Sequence, residues 1–197
     1  MQRRILILPI SALVIAGLCV YKWTRSYEKV PVPKPDAQCA PPLFDLPNQN
    51  KNSTNVRLGS YLGRHRILLV FFDGEKGAEK DSTLLHIREN YEAIKKTGTV
   101  VFGISTAIPQ LNRVETRATG SDLSEIRPRE PFPFPLLTDL SPACKVHRQW
   151  GRYDKTLKRP LQGTFLIDRV GLVACVGRTP KPLFSPQQKI DEIISGR

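Results

Sequence analysis

At 197 residues, 40% hydrophobic and 24% charged, the chain can bury the core of one globular domain of about 150 residues and still carry an appendage. Its net charge of +12 suits acidic surfaces and anionic lipid, but the Lys and Arg are scattered and no reader motif accompanies them, so nucleic acid is not an expected partner. Four Cys without a Cys-x-x-Cys pair exclude a thioredoxin-type dithiol, and Cys144-x-x-His147 finds no second ligand pair, so neither a metal nor a cofactor is expected.

The first element is an apolar run, Ile5 to Tyr21, behind Arg3-Arg4. Its 17 residues would rise roughly 25 Å as a helix, within the range of a spanning segment, and it ends in Tyr21-Lys22-Trp23 rather than in small residues of a cleavage site. Residues 1–27 are therefore expected to be a basic tail and an uncleaved transmembrane or signal-anchor helix that contacts membrane lipid. Basic residues flank both ends, and the large domain behind a short basic tail is expected to be extracytoplasmic. Cys19 lies within the apolar run after Leu18, which fits a lipid-attachment site poorly. Residues 28–40, with Pro31, Pro33 and Pro35, read as an extended spacer, and 41–197 as the globular domain.

Within the domain, buried strands are predicted at Ile67–Phe72, Thr99–Ser105 and Gly163–Asp168, with a weaker one at Leu172–Gly177. Between the first two, Leu84, Ile87, Tyr91 and Ile94 recur at helical spacing. Asp81 is the predicted N-cap and Gly98 the stop, with Lys80, Arg88, Glu92 and Lys95 facing water. The last helix is predicted from Ser185 as cap, Pro186 at its first position, Gln188 completing a capping box and Gly196 ending it. Residues 112–134 combine a short helix with a proline-punctuated loop. Strands alternating with helices predict an α/β sandwich.

The most informative stretch is Val70 to Tyr91, VFFDGEKGAEKDSTLLHIRENY, a loop between a buried strand and a helix N-terminus, where amides and dipole stabilise an anion. It resembles the peroxiredoxin family, also called the alkyl hydroperoxide reductase/thiol-specific antioxidant or redoxin family, whose strand is followed by F-Y-P-x-x-x-T-P-x-C and a helix with R-D-N-Y. Further similar landmarks are Pro42-Leu43-Phe44-Asp45-Leu46-Pro47, Val56-Arg57-Leu58 with Tyr61-Leu62-Gly63, Phe134-Pro135-Leu136-Leu137-Thr138-Asp139 and Thr164-Phe165-Leu166-Ile167-Asp168. Five motifs in order, over roughly residues 40 to 182, imply the thioredoxin fold, a central mixed sheet flanked by helices, and a family activity of thiol-dependent peroxide reduction.

Aligned without a gap from Arg88-Glu89-Asn90-Tyr91, the family pattern puts its Thr on Gly77, its Pro on Ala78 and its peroxidatic Cys on Lys80; the position that in some members holds a resolving Cys is Leu85. The thiolate-stabilising Arg falls on Gln162, with Arg159 three residues upstream. A peroxidatic thiolate needs such an Arg and Thr to lower its pKa and align the leaving oxygen, so the resemblance implies that all three roles are vacant.

The remaining thiols offer one candidate. Ser141-Pro142 looks like an N-cap and first helical residue, which would put Cys144 in a first turn with His147 and Arg148 on its face, either able to lower the thiol pKa. Cys175 reads as core in mid-strand, close to the edge near Cys39, and Cys39 as exposed in the spacer and open to intermolecular pairing. The sequence thus points to a membrane-tethered, non-catalytic binding or scaffold domain of redoxin ancestry. The alternative is a thiol oxidoreductase built on Cys144 or on a pair containing Cys39. A protein partner and the oligomeric state are left open.

Overall fold

The computed structural model describes residues 37–49, 54–106, 132–140 and 142–196. The predicted anchor, most of the proline spacer and the loop through 112–131 lie outside the described residues. Among those described, no helix is long and apolar enough to cross a membrane.

The chain folds around a mixed sheet in the order β1 (Ala37–Cys39), β10 (Val173–Val176), β9 (Gly163–Ile167), β4 (Arg66–Phe71), β5 (Thr99–Ser105), β6 (Leu136–Thr138), with β11 (Thr179–Pro180) added to β10. β4, β5 and β6 run parallel, while β9 is antiparallel to β4 and β10 to β9. β4 is central because it is apolar at every inner position: Ile67, Leu69 and Phe71 enter one core with Phe102, Ile104, Trp150 and Phe165, and Leu68, Val70 and Phe72 enter the other. A strand buried on both faces reads as a continuous hydrophobic run, as this one does.

The second core is closed by α1 (Ser82–Glu89), α2 (Tyr91–Lys96) and α4 (Pro186–Ser195), through Leu84, Ile87, Ile94 and Ile190. Gly103 leaves room for Leu136 and Phe72 in this core: a β-carbon there would fall 2.6 Å from Leu136 Cδ2 and 3.3 Å from Phe72 Cε1. The first core is closed by α3 (Lys145–Gln149) and by the hairpin of β2 (Asp45–Pro47) and β3 (Asn55–Arg57). After β2 the chain crosses the outer edge of β6. There Asn48 bridges Leu137, the Gln49 amide donates to Leu136 O at 2.7 Å, and the Gln49 side chain donates to Thr138 Oγ1. A small hairpin, β7 (Tyr153–Asp154) and β8 (Arg159–Pro160), follows α3.

Four local expectations change. The single helix predicted beyond Asp81 breaks at Asn90, whose side-chain amide donates to His86 O at 3.0 Å and competes with the helical ladder. Arg88 does not simply face water but pairs with Glu79. α4 starts on Ser185 and Pro186 as predicted, but Ser185 makes no side-chain cap, so the capping box with Gln188 does not form. Among the described residues the sheet already includes Ala37–Cys39, inside the stretch read as spacer, which makes Cys39 a half-buried strand residue rather than an exposed one. Gly98 and Gly196 take positive φ at the helix ends, as glycine permits.

Candidate functional site

The strand-to-helix loop is fixed by its own polar groups. Beyond Phe71 the Phe72 amide still donates to Ile104 O, and Asp73 then holds the turn, accepting from the Glu75 amide at 3.0 Å through its side chain and from the Gly77 amide at 3.1 Å through its carbonyl. Gly77 follows at φ +84°, ψ 153°, a conformation that is steep for any residue with a β-carbon. Ala78–Lys80 forms one 3₁₀ turn, with Ala78 buried in the second core and Lys80 exposed.

The end of α1 is already occupied. Asp81 Oδ1 accepts from the amides of Thr83 and Leu84, both at 3.0 Å, so the donors that would face a thiolate or a bound anion are satisfied by the chain's own carboxylate. Burial raises the Asp81 carboxyl above its ordinary pKa, against the two amides, and the Asp73 charge adds to the rise. Arg88, two turns along α1 from Asp81, grips both oxygens of Glu79 at 3.1 and 2.9 Å and lies 5.1 Å from the Phe132 ring centroid, tying the loop to the helix.

Gln162 is exposed and level with the end of β4, because Phe71 pairs with its neighbour Gly163. Its carbonyl accepts from Arg152 Nη1 at 3.1 Å. Arg152 lies on the opposite face of the sheet, its guanidinium 5.9 Å from the Phe165 ring centroid, and burial lowers its pKa. Arg159 is exposed in the β7–β8 hairpin. Gly77 and Lys80 lie in the loop that follows β4, and Gln162 precedes β9 next to the end of β4; none of the three presents a thiol, a hydroxyl or a guanidinium. Two open grooves, of about 370 Å³ beside the α1–α2 break and about 540 Å³ between the β2–β3 hairpin and α3, are lined by other residues.

Cys144, His147 and Arg148 do not form the cluster the spacing predicts. Cys144 is not in a first turn: it is the N-cap of a five-residue helix, buried and left-handed at φ 41°, ψ 46°, and the helix begins only at Lys145. Arg148 points outward, stacked 3.8 Å from the Tyr153 ring centroid with its Nε donating to Ala143 O. His147 turns inward to Asp139 instead. Its backbone amide and ring Nδ1 donate to Asp139 Oδ2 at 2.8 and 2.7 Å, and its ring lies edge-on to Phe71 at 4.9 Å. Burial alone would raise the Asp139 carboxyl, but the hydrogen bonds from the His147 ring and amide, its charge and the Val146 amide outweigh burial and hold it below the ordinary carboxylate value. This buried pair is the polar feature the sequence reading missed. Its signal was the inward stripe of Val146 and Trp150, which carries His147 with it.

Among the described residues all three cysteines lie with the first core, while Lys80 is exposed beside Ala78 of the second. Cys39 packs on the first core, Cys175 shares the face of Val173, and Cys144 caps the helix that closes that side. Burial first, then a hydrogen bond to Cys175 and that thiol's charge, push the Cys39 thiol up to about 11.

Comparison with known proteins agrees with this architecture. The chain is 28% identical over 176 residues to the chloroplastic peroxiredoxin Q of Suaeda salsa, covering 87% of this chain and 72% of that one. It is 26% identical over 132 residues to alkyl hydroperoxide reductase E of Mycobacterium bovis, covering 67% and 78%. The fold is similar to that of the mitochondrial 2-Cys peroxiredoxin of Plasmodium falciparum, with a TM-score of 0.56 at 19% identity over 79% of this chain and 90% of the other. Residues 37–176 match the AhpC/TSA family, and the chain belongs to it.

Proposed function

We propose that this chain is a thioredoxin-fold member of the AhpC/TSA family that has lost peroxidatic chemistry at the family position and serves as a non-catalytic binding domain, tethered to a membrane by Ile5–Tyr21. The observation that carries the reading is the α1 N-terminus: Asp81 takes the amides of Thr83 and Leu84, and the residue in the thiol's seat is the exposed Lys80. A thiolate placed there would meet a neighbouring carboxylate and lack both the hydroxyl and the guanidinium that activate it. The relatives named peroxiredoxin Q and alkyl hydroperoxide reductase E support peroxide reduction as the ancestral activity.

The test is peroxide consumption by the purified chain with a thiol reductant. The expected result is a rate no faster than that of ordinary protein thiols, unchanged by Lys80→Ala. Turnover abolished by a single Cys→Ser change would overturn the reading and name the nucleophile. Loss on Cys144→Ser alone would establish the alternative thiol oxidoreductase, although its buried sulfur and the engagement of His147 with Asp139 weigh against it.

A further inference from the structure

The edge of the sheet brings two thiols together that lie far apart in the chain. β1 runs antiparallel to β10 with Ala37 opposite Cys175 and Cys39 opposite Val173, so Cys39 and Cys175 are diagonal neighbours with side chains on the same face. The Cys175 thiol donates to Ala37 O at 3.2 Å, which holds its sulfur against β1 on the face that Cys39 shares. Both cysteines are free.

We propose that Cys39 and Cys175 are a redox modification site, a dithiol that closes to a disulfide and fastens the N-terminal edge strand to the sheet. The oxidant class is a small disulfide such as oxidised glutathione. One protein thiol loses its proton and attacks a sulfur of the oxidant, expelling one thiolate; the second attacks the resulting mixed disulfide and expels the other. The two protein sulfurs lose two electrons and two protons, and the oxidant leaves as two thiols. A diagonal pair needs a small shift to reach bonding geometry, and β1, three residues long at the sheet edge, is the element that can make it. Cys39 is half-buried and Cys175 only 3% exposed, so Cys39 is the point of entry. The raised pKa of Cys39 leaves it less thiolate at neutral pH than an ordinary thiol, so its attack on the oxidant is slow. This distinguishes the pair from a peroxidatic centre, and the proposal stands whether or not the non-catalytic reading holds.

The full chain is reduced, freed of reductant, incubated with graded oxidised glutathione, quenched with an alkylating agent and digested without reduction. A peptide joining Cys39 to Cys175 is expected as the dominant oxidised product, reversed by reductant, with a rise in Tm of roughly 5–10 °C because the bridge closes a long loop. Cys39→Ser and Cys175→Ser should each abolish the linked peptide and the rise, and Cys144→Ser should keep both. Recovery of the two cysteines only as alkylated or singly glutathionylated peptides under excess oxidant would overturn the proposal, as would links between two copies of Cys39. The wild-type digest decides even where a serine variant fails to fold.

Discussion

Asp139 and His147 form a pair whose loss is felt because both are enclosed, with side chains 5% and 0% exposed. Asp139→Asn leaves the amide and ring N–H of His147 facing a weaker acceptor, and should cost about 2–4 kcal/mol in urea unfolding. The pH dependence follows from its lowered pKa. The folded carboxyl titrates below the unfolded value near 3.9, so its contribution is complete above about pH 5 and is lost as pH falls toward the folded value. Stability curves of the wild type and Asp139→Asn should converge on that acid limb, and parallel curves would refute the assignment. Gly103 is constrained by space instead: Gly103→Val drives atoms into Leu136 and Phe72 and should destabilise by about 1–3 kcal/mol in urea unfolding.

Among the elements, α1 depends most on one residue. Asp81→Ala removes the acceptor for two amides and should cost about 1 kcal/mol, with faster hydrogen exchange at Thr83 and Leu84, while Asp81→Asn should keep most of the cap. The sequence announced this helix well, since Asp81, the Leu84–Ile87 spacing and the strand before it obey local rules that nothing in the core contradicts. β4, β5 and β9 were legible for a similar reason: a strand buried on both faces carries its environment in its composition. The break at Asn90 and the left-handed Cys144 were not, because each depends on a competition between a side chain or backbone angle and the helical ladder that propensity averages away. The site was legible as a position but not as an arrangement. Lys80 could be placed by alignment and Cys175 set near the edge of Cys39, whereas the register that makes the two cysteines diagonal neighbours needed the pairing of β1 with β10, which joins segments 136 residues apart.

For the whole molecule, the binding-domain reading predicts that deleting residues 1–35 moves the protein from the membrane to the soluble fraction without changing the unfolding of the domain. A domain that stays with the membrane after the deletion would contradict tethering through Ile5–Tyr21. The strap across β6 matters at this scale too. A sheet that ends in bare amides and carbonyls invites a second chain to add a strand, and proteins guard such margins against fibril-like growth. Here Gln49 takes the outer carbonyl of Leu136 and Asn48 lies opposite Leu137, so the chain itself covers that margin against an incoming strand. Weakening the strap, for instance with Gln49→Pro, should expose a templating surface and show first as turbidity on storage, before any loss of folded signal.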